Sequence, residues 1–142
     1  MGKNIVVIGG GEIGVEMSIF LARKGHNVEL LEQGSVLSPE SVPVHFRSVF
    51  EKTWENQDGF TYHLNSRCTG VDPDGVRYTD STGTEHKIMA DCVVLAAGMK
   101  AKQLEAMSFM DGTVRTHMIG DCLKVGCIQT GMRAAYGLAN NI

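Results

Sequence analysis

No apolar run in this 142-residue sequence approaches the roughly 20 residues that a membrane-spanning helix requires, so the membrane is not an expected partner. Positive charge is not in excess either. Thirteen Lys and Arg against 16 Asp and Glu leave a net charge of -3, which gives no field to gather phosphate backbones and argues against a nucleic-acid partner. The four cysteines, Cys68, Cys92, Cys122 and Cys127, show no paired CxxC spacing and no disulfide density. Cys68 and Cys92 stand in apolar contexts and are expected as small core hydrophobes. Cys122 and Cys127 have a spacing seen in some redox disulfides, yet reduced structural thiols are the expected state. His26, His45, His63, His86 and His117 are scattered without ligand spacing, so no metal site is expected. No Ser-His-Asp or Cys-His arrangement stands out, and no repeat or low-complexity tract divides the chain. Met1-Gly2-Lys3-Asn4 lead directly into an apolar run with no room for a signal peptide, and the cytoplasm is the expected compartment.

Glycine, in contrast, is plentiful, with 17 residues, and its placement is informative. Asn4 to Ile8 is a β-branched run short enough for a buried parallel strand, and Gly9, Gly10 and Gly11 follow at once. A helix is predicted from Glu12, with Ile13, Met17, Phe20 and Leu21 along its apolar face and Gly25 closing it. Val28 to Leu31 is a second strand ending at Glu32, which completes a βαβ unit. Residues 33 to 43, with Gly34, Ser35, Ser38, Pro39, Ser41 and Pro43, read as a loop, and Val44 to Glu55 as a helix offering Val44, Phe46, Val49, Phe50 and Trp54 for burial. Runs at Phe60–Leu64, Arg67–Val71, Val76–Thr79 and His86–Ala90, separated by turn residues, predict an antiparallel meander. Cys92 to Ala97 is again a buried parallel strand, closed by Gly98. A short helix near Gln103–Met107, a strand Val114–Ile119 and a helix from about Ile128 follow. The predicted fold class is α/β: a Rossmann-like βαβ parallel sheet flanked by helices, with an antiparallel β-meander crossover.

Gly9-x-Gly11-x-x-Gly14 is the motif that carries chemistry, because it leaves a strand and opens a helix, and an acid follows 18 residues after Gly14, close to the usual spacing. Gly9 permits the sharp turn, Gly11 lets a pyrophosphate approach the backbone, and Gly14 allows close helix–strand packing. The N–H groups at the helix start, at Glu12 and Ile13, then face the anion together with the positive end of the dipole. Glu32 is placed to accept hydrogen bonds from both ribose hydroxyls of NAD(H) and to repel the 2′-phosphate of NADP(H), the less expected cofactor. Gln33, Gly34 and Ser35 follow it, with no Arg or Lys there to receive a phosphate. A solvated acid at a strand end is the alternative for Glu32. Glu16 either complements the helix dipole or points towards the nicotinamide. Gly10 and Gln33 complete the candidate cofactor-binding set around the turn. No catalytic residue is assigned.

The segment Val6-Val-Ile-Gly-Gly-Gly-Glu-Ile-Gly-Val-Glu16 resembles the nicotinamide-binding fingerprint of flavoproteins with two dinucleotide-binding domains. Asp91-Cys-Val-Val-Leu-Ala-Ala-Gly98 is similar to that group's strand leading to a glycine turn, and Met118-Ile-Gly-Asp-Cys122 to its Gly-Asp motif. Order and spacing most resemble the C-terminal region of the 2,4-dienoyl-CoA reductase, enoate reductase and NADH:flavin oxidoreductase (NADH oxidase) family. Met99-Lys-Ala-Lys102 departs from the Pro-Asn pair often found there. The resemblance implies a nicotinamide-binding domain at 1–112 and a segment at 113–142 belonging to an FAD-binding domain. It implies that Gly98 lies close to the nicotinamide cofactor and that Asp121 faces FAD. It further implies partner domains elsewhere, a remaining FAD domain and a barrel carrying FMN and an iron–sulfur cluster. The sequence then looks like a piece of a larger oxidoreductase, inactive alone, with an apolar face covered by the missing domain or by a second copy in a homodimer. The alternative is a non-catalytic NAD-sensing regulatory module of a transporter or channel. Such a module continues as alternating β and α, whereas residues 60 to 90 read as consecutive strands. A stand-alone dehydrogenase and a methyltransferase are further alternatives.

Overall fold

The computed structural model describes residues 3–39, 44–110, 112 and 114–142. Ser41 and Pro43 of the expected loop, and the expected burial of Val44, Phe46 and Val49, lie outside what is described. The chain forms two compact units, Met1–Gly98 and Met99–Ile142.

The first unit is built on strand β1 (Asn4–Ile8), helix α1 (Glu12–Arg23) and strand β2 (Asn27–Leu31). Helix α2 (Val44–Glu55) and strand β3 (Phe60–His63) follow, then strands β4 (Arg67–Asp72), β5 (Gly75–Thr79) and β6 (Glu85–Met89), and finally β7 (Cys92–Leu95). Four strands form a parallel sheet in the order β3-β2-β1-β7, and three form an antiparallel sheet in the order β4-β5-β6. The expected α/β class, a Rossmann-like parallel sheet with an antiparallel meander, is therefore the observed one. One strand is reassigned: Phe60–His63 pairs parallel with β2 instead of opening the meander. Its length and turn signals could not separate the two placements, because a short apolar run fits either.

Strand alternation explains how both faces of the parallel sheet are covered. Ile5 and Val7 of β1, with Val28 and Leu30 of β2, turn to one side and pack with Val15, Ile19, Leu21 and Ala22 of α1 and Trp54 of α2. Val6 and Leu31 turn to the other side and pack with Val76, Tyr78 and Ile88 of the meander. Tyr78 lies between His63, 5.5 Å away, and His86, 5.1 Å away, while His63 pairs with Glu29 at 2.8 Å. Burial, reinforced by the charges of Glu29 and Asp80, pushes the Tyr78 phenol above its ordinary pKa.

The phase of α1 differs from the expected one. Ile13 and Phe20 are 60% and 55% exposed, and the buried face carries Gly14, Val15, Ser18, Ile19, Leu21 and Ala22. Small residues decide the phase. A Cβ on Gly14 would overlap the Gly9 carbonyl oxygen, so only glycine lets the helix approach the strand exit there. One turn on, Ser18 keeps the contact close and satisfies its buried hydroxyl on the Gly14 carbonyl at 2.7 Å.

The second unit contains a short helix α3 (Gln103–Met107), a single 3-10 turn at Gly120–Cys122 and helix α4 (Ile128–Ala139). The expected strand Val114–Ile119 is irregular chain. A strand needs a neighbour to take its N–H and C=O groups, and among the described residues no segment pairs with this one. Ile128, Met132 and Tyr136 lie along one face of α4 and are all exposed. All four cysteines are free thiols. Among the described residues no helix is long and apolar enough to cross a membrane, and no His, Cys, Asp or Glu group could hold a metal ion.

Two outcomes follow for the first unit. Gly14→Ala should destabilise it by about 1–3 kcal/mol in urea unfolding, since backbone must shift to admit the methyl group; an unchanged midpoint would contradict the packing described. Asp80 braces the turn between β5 and β6 by accepting from Thr82 N–H, Thr82 Oγ1, Thr84 N–H and His86 Nε2. These bonds, that from the Thr82 hydroxyl foremost, hold its carboxyl below the ordinary carboxylate range. A depressed folded pKa contributes stability above the unfolded value and loses it as pH falls towards the folded one. Thermal melts from pH 7 downwards should therefore show Asp80→Asn lowering Tm at neutral pH, with the difference closing below about pH 4. A difference independent of pH would contradict the brace.

Candidate dinucleotide site

The carboxyl ends of the parallel strands are where an open α/β sheet leaves a crevice for ligands. Here β1 exits through Gly9, whose φ of +108° belongs to the left-handed region that glycine adopts freely. A side chain there would also run into the Ala96 carbonyl at the end of β7. Gly11 is the N-cap of α1, with extended backbone and no side-chain cap. The first-turn N–H groups of α1, at Glu12 and Ile13, have no intrahelical acceptor, and the positive end of the helix dipole lies with them.

Glu32 ties this turn to the end of β2. One carboxylate oxygen accepts from Gly10 N–H at 2.6 Å and the other from Gly34 N–H at 2.5 Å. Backbone bonds lace the same region together: Gly9 N–H to the Leu31 carbonyl, Ser38 N–H to the Gly10 carbonyl, Glu32 N–H to the His63 carbonyl and Ser66 N–H to the Glu32 carbonyl, all between 2.7 and 2.9 Å. Each oxygen of an ionised carboxylate has two lone pairs, so Glu32 can hold the loop and still accept from a ligand hydroxyl.

A cavity of about 430 Å³ opens over this turn, within the size range of small-molecule sites. Among the expected site residues, Gly9, Gly11, Glu32, Gln33 and Gly98 line it together. Gly10 backs it through its bond to Glu32, and Gly14 is buried against the Gly9 carbonyl. Glu12 and Ile13 stand exposed on the first turn of α1. Glu16 lies elsewhere, in a smaller cleft of about 230 Å³ with Ile19, Phe20, Arg23, Phe50 and Thr53. Asp121 belongs to the second unit, where its carboxylate accepts from Gly126 N–H at 3.1 Å.

Ser66, Arg67 and Cys68 also line the cavity, and sequence reasoning missed them. Cys68 was expected only as core. It does pack against the core on the meander side, but it faces the cavity as well. No Arg or Lys follows Glu32 directly, as the sequence shows, yet Arg67 brings a cation to the cavity. It arrives from β4, 35 residues further on, so a search beside Glu32 could not find it. The usable signal was topological: the chain leaving β3 at His63 re-emerges at the ligand-binding edge of the sheet.

The arrangement supplies what a dinucleotide needs. Free helix N–H groups beside side-chain-free backbone suit a pyrophosphate, and a fixed carboxylate suits a ribose.

The sequence profile of the family described as "pyridine nucleotide-disulphide oxidoreductase" matches residues 1–134. The chain is 34% identical over 98 residues to the nitric oxide reductase FlRd-NAD(+) reductase of Aliivibrio fischeri, covering 69% of this chain and 26% of that protein. It is 28% identical over 138 residues to the NADH oxidase of Thermoanaerobacter brockii, covering 96% of this chain and 21% of that protein. A solved 2-naphthoyl-CoA reductase complex superposes over 100% of this chain and 21% of its own, with a TM-score of 0.87 and 25% identity. The chain thus spans about a quarter or less of the length of these relatives. With a matching profile over nearly all of its length, the chain belongs to the pyridine nucleotide-disulphide oxidoreductase family.

Proposed function

We propose that this chain binds the ADP half of a nicotinamide dinucleotide, NAD(H) in preference to NADP(H), as part of a flavin-dependent oxidoreductase. In that enzyme it presents the nicotinamide for hydride transfer to FAD. The observation that carries this reading is the joint placement of the uncapped α1 N-terminus and the Glu32 carboxylate on one cavity. The pyrophosphate would lie against Gly9, Gly10 and Gly11 and the N–H groups of Glu12 and Ile13. The adenosine ribose would lie at Glu32 beside Gln33, with the adenine running towards Ser66–Cys68. The nicotinamide would leave by Ala96–Gly98, the opposite wall. Glu16, on α1 but outside this cavity, keeps a role only at the nicotinamide end or towards the helix dipole.

Bound there, a reduced nicotinamide supplies the hydride, and the protein contributes binding, orientation and electrostatics. The residues described here have no evident acid or base to add. Two relatives carry NAD(+) or NADH in their names, and the meander β4-β5-β6 fits a flavoprotein domain better than the alternating β and α of a regulatory module. Residues 113–142 are assigned to the FAD-binding domain, with Asp121 towards FAD. Exposed Ile128, Met132 and Tyr136 support a covering domain, or a second copy of the chain, over α4. FMN and an iron–sulfur cluster belong to a barrel domain outside this chain, and the cytoplasm remains the proposed compartment.

Calorimetric titration with NADH, NADPH and FAD should show selective NADH binding. Glu32→Ala should weaken it about tenfold or more, as loss of a charged hydrogen-bonding group implies. Circular dichroism melts would confirm that the variant is folded. Tight FAD binding without a response to NADH would overturn the assignment. Mixed with NADH and free flavin, the chain alone should show no steady turnover; sustained NADH consumption would contradict its role as one part of a larger enzyme.

A further inference from the structure

Arg67 is the only cation among the described residues lining the cavity, and it is uncommitted. Among the described residues it makes no ion pair and donates no side-chain hydrogen bond, although it shares the cavity with a carboxylate. Glu32 forms no ion pair with it; the Glu32 oxygens accept instead from the Gly10 and Gly34 N–H groups. The two residues are nevertheless close along the wall, since Ser66 N–H, one residue before Arg67, donates to the Glu32 carbonyl at 2.8 Å. A guanidinium stays charged at any working pH and presents paired donors that match phosphate oxygens.

We infer that Arg67 is a latent receptor for a 2′-phosphate at the adenosine end, and that Glu32 alone enforces the choice of an unphosphorylated ribose. This rests on the reading of the cavity given above. A 2′-phosphate entering the native cavity meets the Glu32 carboxylate, held by two backbone N–H groups, whose repulsion outweighs the attraction of the solvent-exposed Arg67. With Glu32 neutral, the same phosphate meets a cation already in place, with no further substitution required. Cofactor choice is then set by one charge, not by the whole pocket.

The adenosine end is tested by itself with AMP and adenosine 2′,5′-bisphosphate, each titrated calorimetrically into the chain. The native chain should favour AMP. Glu32→Gln, which retains a carbonyl oxygen for the loop, should reverse the preference by about tenfold or more, and the double variant with Arg67→Met should lose that gain. Arg67→Met alone, a change at an exposed and unpaired side chain, should deepen the native discrimination against the bisphosphate even if the Glu32 variant folds poorly. Binding of AMP by the native chain without an Arg67-dependent gain in Glu32→Gln, or an unaltered preference in Arg67→Met, would overturn this inference and leave the proposed function standing. Failure of the native chain to bind either nucleotide would overturn both.

Discussion

The carboxylate of Glu32 is the constraint on which the site depends. Its two oxygens hold Gly10 N–H and Gly34 N–H, and so fasten the glycine turn after β1 to the loop after β2. Without that bridge, three successive glycines would sample many backbone states, and ordering them against a ligand would consume binding free energy. With it, the turn is set before any nucleotide arrives. A residue usually read for its contact with a ribose is therefore also structural. Its loss would loosen the glycine turn and, on the proposed reading, remove the ribose acceptor as well.

Around this bridge the parallel sheet acts as a frame. Ile5 and Val7 bury against the helices and Val6 against the meander, so β1 is fixed on both faces and its exit at Gly9 is held in position. Gly14 and Ser18 hold α1 close to the strand exit, and its N-cap, Gly11, borders the cavity. The meander does more than cover the sheet, because the chain entering β4 carries Ser66, Arg67 and Cys68 into the cavity wall.

Much of this was legible in the sequence where the cause is local. The βαβ unit, the glycine turn and the acid at the end of β2 follow from a β-branched run, glycine spacing and a count of residues. What failed depended on partners remote in sequence. The phase of α1 was misjudged because apolar residues were counted, whereas the close approach of Gly14 to the Gly9 carbonyl decided it. Phe60–His63 was assigned to the wrong sheet because pairing with β2 leaves no mark on a four-residue run. Val114–Ile119 has strand composition but no strand to pair with among the described residues. Arg67 was invisible as a site residue because its nearness to Glu32 is created by the fold.

The central claim is that a dinucleotide lies on the turn that Glu32 holds. Backbone amide spectra of ¹⁵N-labelled chain titrated with NADH test it most directly, because they report on each N–H group in turn. The account predicts the largest shifts at Gly9–Gly14 and Gly34, with Arg67 and Cys68 also moving and α4 undisturbed. Saturable binding with shifts confined to residues 99–142 would contradict it.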